Sequence, residues 1–194
     1  MLRTMLKGRS KMILVVLLCM VILTSTSVAT AAEPLKGDSK KTVPSSVPLS
    51  GEEPYAALRR GDFRVAAALF LPLAEEGDDR AQYNLGLLYA SGLGVKYDSR
   101  AAMKWHRLAA GQGHAGAQNA LAQMYAKGNG VPQDTVRAHM WYSVAVESST
   151  AGSKEELMKD RDTLASHMAP AQIKKAEELA KQCLESQFKK CGEK

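Results

Sequence analysis

The sequence predicts an all-α fold, an α-α superhelix (solenoid) of antiparallel helical hairpins. Two stretches of the 194-residue chain repeat at an offset of 36 residues, each carries two apolar stripes at helical spacing, and glycines separate the stripes. A period in the mid-thirties is typical of helical-hairpin arrays, whose units bury their apolar faces only against neighbours. The recurring positions are Ala81, Gln82, Leu85, Tyr89, Ala90, Gly92, Gly94, Val95, Asp98, Ala102, Trp105 and Ala109, which match Ala117, Gln118, Leu121, Tyr125, Ala126, Gly128, Gly130, Val131, Asp134, Ala138, Trp141 and Ala145.

The first helix of each unit, which we call helix A, is predicted from the spacing of its apolar residues. Ala81, Leu85, Leu88 and Tyr89 fall at i, i+4, i+7 and i+8, the pattern of a helix with one buried stripe. Gly92 then ends the helix, because glycine adopts the left-handed conformation that a side chain resists. The chain is therefore expected to turn after residue 92.

The second helix, helix B, is predicted to begin after Asp98, whose carboxylate can accept hydrogen bonds from backbone N–H groups of the first turn. Its apolar stripe includes Trp105. We expect Trp105 and Trp141 to fill the space between layers, while the small residues Gly86 and Ala122 let helices approach closely. The recurring tryptophans and tyrosines are therefore assigned to the core, in preference to a carbohydrate-stacking surface.

The pattern Ala-x-x-x-Leu-Gly-x-x-Tyr, Gly-x-Gly-Val, Asp, Ala-x-x-Trp and Ala resembles the Sel-one-like repeat, a subfamily of tetratricopeptide-like solenoids. The resemblance covers a repeat at 81–116 and a second at 117–152, in which Ala122 replaces the glycine. It implies a scaffold that binds other proteins without catalysis. In such solenoids the A helices line the concave face.

Helix A positions away from the buried stripe are the candidate partner-binding residues. At about 100° per residue, they point away from Leu85 and Leu121. They are Tyr83 and Leu87 in the first repeat and Asn119 and Gln123 in the second. We expect Tyr83 to be exposed beside Leu87, an apolar spot with a polar handle. Ordinary surface, or contact with the preceding half-repeat, is the alternative interpretation.

Further helices are predicted on both sides of the repeats. Residues 52–80 form an N-terminal half-repeat or cap, in which Pro72 is expected to kink the helix or end it early. Residues 153–184 form two C-terminal capping helices, and Pro170 suits the first turn of the second. Residues 185–194 form a tail.

The N-terminal residues 1–31 predict a secretory signal peptide. Four cations without an acid precede an apolar run at 12–23, and small residues follow. The run is shorter than the roughly 20 residues of a membrane span. The mature chain is expected to begin at Ala32 or Glu33, with a flexible linker at 32–51. An uncleaved signal that anchors the chain is the alternative, and bulky Leu18 disfavours lipid attachment at Cys19.

Removal of the signal lowers the formal net charge from +6 to +2. With no dense basic stripe identified elsewhere, nucleic-acid binding has no electrostatic support. Cys183 and Cys191 are the cysteines left after cleavage, and an even number in an exported protein favours a disulfide between them. The loop-entropy model gives it about 2.6 kcal/mol. Two free thiols or an intermolecular bridge are the alternatives.

The sequence gives only weak support for a catalytic site. The four histidines, expected at exposed positions, lack zinc-ligand spacing, and Gly92 and Gly94 follow a helix, where a phosphate loop would follow a strand. No cofactor or metal site is predicted. Ser186 and Lys189 match a Ser-x-x-Lys motif without its companion motifs. The leading hypothesis is a periplasmic or secreted scaffold that binds other proteins; the alternative is a peptidoglycan- or β-lactam-interacting envelope protein with weak hydrolase activity.

Overall fold

The structure, a computed structural model, describes residues 53–191, and within this range it contains eight α-helices and no strand. The predicted signal peptide and linker lie outside the described residues. The helices are α1 Pro54–Arg60, α2 Phe63–Glu75, α3 Asp79–Ser91, α4 Ser99–Ala110, α5 Ala115–Lys127, α6 Thr135–Ser148, α7 Ala151–Ala165 and α8 Pro170–Glu185.

Two hairpins in the middle of the chain confirm the predicted solenoid. Helices α3 and α4 form the first hairpin, α5 and α6 form the second, and each helix A also packs against the helix B before it. The recurring leucines, tyrosines and tryptophans lie in one continuous core, as predicted. Successive layers therefore share their apolar surface, which is how a hairpin array is stabilised.

The ends of the repeat helices follow the predicted chemistry. Gly92 ends α3 in the left-handed conformation, with φ of 67°, and Gly128 ends α5 in the same way. The Asp98 carboxylate accepts hydrogen bonds from the backbone N–H groups of Arg100 and Ala101 at the start of α4. Asp134 caps α6 by accepting from a backbone N–H of its first turn.

Buried glutamines join each unit to the preceding one. The Gln82 side-chain amide donates to the carbonyl oxygen of Ala74 at 3.0 Å, and the Gln118 amide donates to that of Ala110 at 3.3 Å. Both donors and both acceptors are 36 residues apart in sequence. The same hydrogen bond thus closes the end of helix B at two successive layers, where the last carbonyls lack intrahelical partners.

Two outcomes were expected at Pro72, a kink or an early end of the helix, and the structure excludes the early end. Helix α2 does not end early at Pro72 but continues to Glu75. The φ angle of proline is compatible with a helix. Pro72 destabilises the helix only through the preceding turn, where a backbone hydrogen bond is lost and its ring crowds a carbonyl group. Burial of Ala74 against the core holds the last turn of α2 in place. Before it, Tyr55 on α1 contacts Phe70 edge-on, with ring centroids 5.1 Å apart.

Helices α7 and α8 cover the other end of the array by packing against α6. Pro170 occupies the first turn of α8, as predicted. Cys183 and Cys191 form a disulfide with a Cα–Cα distance of 4.4 Å, which confirms the predicted pairing. Within the tail, Gln187 and Phe188 have positive φ values of 51° and 66°.

The Phe188 ring then packs against Gly113, which lies between α4 and α5. A Cβ built on Gly113 would lie 2.9 Å from Cε2 of this ring. The tail therefore contacts the connection between α4 and α5. None of the helices between residues 53 and 191 has the length and hydropathy of a membrane-spanning segment.

Candidate functional site

The candidate partner-binding residues lie on α3 and α5, one turn apart on each helix. Leu87 is 38% exposed, which is high for a large apolar side chain. Tyr83, Asn119 and Gln123 are half-buried. Because residues four apart are neighbours on a helix surface, the four side chains form two patches, one in each repeat.

Tyr83 is less exposed than predicted. Its ring stacks on the His114 imidazole with centroids 4.5 Å apart, and lies 5.8 Å from the His106 ring. Gly116 leaves room for it, because a Cβ there would lie 3.0 Å from Tyr83 Cζ. Burial raises the pKa of the Tyr83 hydroxyl, which therefore stays protonated and able to donate a hydrogen bond at neutral pH.

The second patch is polar. Asn119 corresponds to Tyr83, and Gln123 corresponds to Leu87, at the 36-residue offset. The Oδ1 atom of Asn119 is buried and accepts no hydrogen bond from the described residues. A buried amide oxygen without a partner is costly. The second patch therefore consists of two amides, the Asn119 amide with its oxygen buried, where the first has an aromatic ring and an aliphatic side chain.

The prediction that the histidines are exposed holds for only one of the four, His167, and His114 is half-buried. His106 is 1% exposed, and His139 is also buried. His106 follows Trp105 and lies one turn from Ala102 and Ala109, so it falls on the apolar stripe of α4. This helical position indicates burial, whereas the polarity of histidine favours an exposed position.

Burial is the main cause that lowers the pKa of His106 to about 4, and the nearby His114 lowers it further. The imidazole is neutral at pH 7, and its Nδ1 has no partner among the described residues. A neutral, enclosed ring of this kind belongs to the packing of the hairpin. Between residues 53 and 191, no group of histidine, cysteine and acidic side chains could hold a metal ion.

The Ser186 hydroxyl takes part in the turn that follows α8. It donates to the carbonyl oxygen of Cys183 at 2.9 Å and accepts from the backbone N–H of Lys190 at 2.9 Å. These bonds give the serine of the Ser-x-x-Lys match a structural role in the tail.

A cleft of about 500 Å³ lies between α6, α7 and α8. Its charged walls are largely paired with one another. The Arg161 guanidinium lies 2.8 Å from the Asp162 carboxylate, and the Lys181 ammonium lies 3.8 Å from that of Glu185. Buried His139 is part of its floor. The pairing of these charges fits a joint between the last repeat and its cap.

The two hairpins match the Sel1 repeat, another name for the Sel-one-like repeat, at residues 79–114 and 115–149. The chain is a Sel1-repeat protein. Members of this family generally act as protein-interaction scaffolds and are typically non-catalytic. The two matched segments adjoin, and each contains one helix A and one helix B.

Solved structures of other Sel1-repeat proteins are similar to this one. A protective antigen of uropathogenic Escherichia coli, c5321, displays an SLR fold and is 28% identical, with a TM-score of 0.62. That similarity covers 70% of this Sel1-repeat protein but 30% of the antigen, so the chain spans less than a third of the antigen's length. A Sel1 repeat protein from Oxalobacter formigenes is 33% identical, with a TM-score of 0.47, over 55% of this chain and 83% of that one. No curated protein gave a significant match.

Proposed function

We propose that this chain is a non-catalytic periplasmic or secreted scaffold that binds another protein through Tyr83 and Leu87 on α3 and Asn119 and Gln123 on α5. The observation that carries the proposal is the exposure of Leu87, 38%, one turn after the half-buried ring of Tyr83. An aliphatic side chain beside a rigid ring with a hydroxyl has the composition of an interface hot spot. The amides of the second repeat extend this surface with hydrogen-bonding groups.

The role of Tyr83 in this surface is to present a fixed ring. Its stacking on His114 holds the side chain before any partner arrives. A side chain that is already ordered loses less conformational entropy on binding than a free one. Leu87 then supplies apolar area, and the protonated Tyr83 hydroxyl supplies a hydrogen-bond donor.

Export is supported by the charge and apolar pattern of residues 1–31 and by the disulfide between Cys183 and Cys191. We place the cleavage before Ala32 or Glu33, with residues 32–51 as a linker. Mass spectrometry of the protein from a periplasmic or culture-medium fraction tests this. A mature mass that starts at either residue is expected, whereas a full-length chain recovered with membranes would favour an uncleaved anchor.

Site-specific photo-crosslinking in the native cell envelope tests the binding surface. A benzoylphenylalanine placed at position 87 should capture a discrete protein partner. The matched control carries the probe at Leu93, which is 41% exposed but lies in the loop after α3. Equal capture at both positions would reject the surface.

Binding measurements with the captured partner then test the residues. Replacing Leu87 and Gln123 together by alanine should weaken the complex at least tenfold, the loss of about 1.4 kcal/mol of contact energy. The melting temperature should change little because neither side chain is buried in the core. Leu93→Ala is the control, and an unchanged affinity of the double variant would contradict the proposal.

A further inference from the structure

A groove of about 500 Å³ runs along α4 on a face that the binding surface above does not use. Three cations lie along it, and Met103, Leu108 and the 130–131 loop form its apolar part. No carboxylate lines the groove. The cationic side chains, at i, i+4 and i+7 on one helix face, belong to Arg100, Lys104 and Arg107.

Two of the three cations in this groove, Arg100 and Lys104, have no acidic partner among the described residues. Arg107 donates a hydrogen bond of 2.8 Å to the Tyr125 hydroxyl, which fixes its guanidinium at the junction of the two repeats. By contrast, the cleft beside α8 contains carboxylates next to its cations. The α4 groove therefore attracts anions.

The second repeat shows what covers the same face of a helix B. Lys104 and Leu108 correspond to Met140 and Val144 at the 36-residue offset, and both of these are fully buried. Helix α6, which carries them, packs against α7 and α8 in addition to α5. Helix α4 packs extensively with α3 and α5 alone among the described helices. Leu108 is accordingly 44% exposed.

We propose that the α4 groove binds an acidic amphipathic helix of a partner protein. The apolar stripe of that helix would cover Leu108, and its carboxylates would lie beside Arg100 and Lys104. From Arg100 to Lys104 the two charges extend over about 6 Å of helix axis. Carboxylates one turn apart on a helix match this spacing, and the exposed apolar side chain of Leu108 favours a helix with an apolar stripe over a phosphate group. This inference rests on the proposed scaffold function and assigns it a second, chemically different surface.

The test uses the purified protein and a labelled 18-residue helical peptide with leucines on one face and glutamates beside them. Fluorescence anisotropy gives the affinity, and amide NMR shifts locate the site. Binding should weaken as salt is added, and shifts should concentrate at residues 100–108 and 130–131. The same peptide with lysine in place of glutamate should not bind. No binding of the acidic peptide, or shifts elsewhere, would overturn the proposal.

Charge reversal tests whether the peptide binds in the groove or is attracted to the positive charge of the protein in general. Arg100→Glu with Lys104→Glu should weaken peptide binding on the order of 30-fold, from the loss of two attractions and the gain of two repulsions. Lys174→Glu with Lys175→Glu makes the same change in net charge on the exposed face of α8. Equal weakening by the two pairs would overturn the proposal.

Two further arms identify the kind of ligand and keep this inference distinct from the proposed function. Leu108→Ala should weaken peptide binding severalfold, and Met158→Ala, at a similarly exposed methionine on α7, should not. Tighter binding of inorganic polyphosphate than of the peptide, lost on charge reversal, would overturn the assignment to a helix. Crosslinking at position 87 should survive charge reversal at Arg100 and Lys104, and peptide binding should survive Leu87→Ala.

Discussion

The backbone of Gly94 lies directly against the backbone of Phe63, the first residue of α2, so that a Cβ at Gly94 would overlap the Phe63 carbonyl group. The contact recurs one repeat later, where a Cβ at Gly130 would lie 2.6 Å from the carbonyl oxygen of Ser99, the first residue of α4. Both partners are separated by the repeat offset. The second glycine of each Gly-x-Gly pair thus serves the joint between layers, beyond its part in a turn.

Gly94→Ala should lower the free energy of unfolding by about 3 kcal/mol, combining a positive-φ cost of about 1 kcal/mol with about 2 kcal/mol of backbone overlap. Gly61→Ala is the matched control, because Gly61 also has a positive φ, of 80°, but a Cβ there would touch nothing within 4 Å. It should cost about 1 kcal/mol. Urea unfolding measures both, and equal losses would show that the interlayer contact carries no energy.

Gly86→Ala should also destabilise the protein, because the new Cβ would lie 2.6 Å from Cε1 of the buried His106 ring. We expect a loss of about 2 kcal/mol from overpacking. Combining it with His106→Ala should recover part of that loss, since the clash disappears with the ring. A double-mutant cycle by chemical denaturation measures the coupling. Additive losses would contradict a direct contact.

Stability should fall as the pH is lowered through the window between 6.5 and 4. The pKa of His106 is about 4 in the folded protein against 6.5 as a free side chain, so in this window the unfolded chain binds the extra proton. By pH 4.5 the loss from this group should be about 2 to 3 kcal/mol, and above pH 6.5 its contribution is constant.

Urea unfolding at pH 7 and pH 4.5 measures this dependence. His106→Gln removes the ionisation, so its stability should fall by less between the two values than that of the natural protein. His167→Gln, at an exposed histidine, should keep the natural pH dependence. Indistinguishable pH dependence of the natural protein and His106→Gln would disprove the assignment to His106.

Reduction of the disulfide should lower the free energy of unfolding by about 2.6 kcal/mol, the loop-entropy value for its nine-residue ring. The same treatment should loosen Phe188 from Gly113, which hydrogen exchange at residues 111–114 would detect. A variant with both Cys183→Ala and Cys191→Ala should have the free energy of unfolding of the reduced protein, and added reductant should not change it. A reductant effect that persists in that variant would have another cause.

The hairpin core was predictable because helical spacing alone places Leu85 and Tyr89 on the buried stripe of helix A and Trp105 on that of helix B. The helix caps Gly92 and Asp98 were also predictable, because each acts on backbone groups only a few residues away. The burial of His106 was not, because the space for its ring comes from Gly86, twenty positions earlier on the facing helix. Residue type gives no measure of such a cavity.

The candidate surfaces were only partly predictable. Leu87 is exposed as the helix geometry indicates, but stacking on His114 across the next connection draws Tyr83 inward. The cations of α4 stand at helical spacing, so the sequence alone indicates that they share one face of the helix. That their face stays uncovered depends on where α7 and α8 pack, which is a tertiary choice. The four binding residues on α3 and α5 remain a prediction.

The contact of Phe188 with Gly113 limits how this array can lengthen during evolution. Duplicating one hairpin between the second repeat and the cap would shift the aromatic ring by roughly one helical layer, about 10 Å, and leave the glycine behind. A longer descendant would need a new anchor for its final segment. The contact between Phe188 and Gly113 therefore favours the present number of repeats.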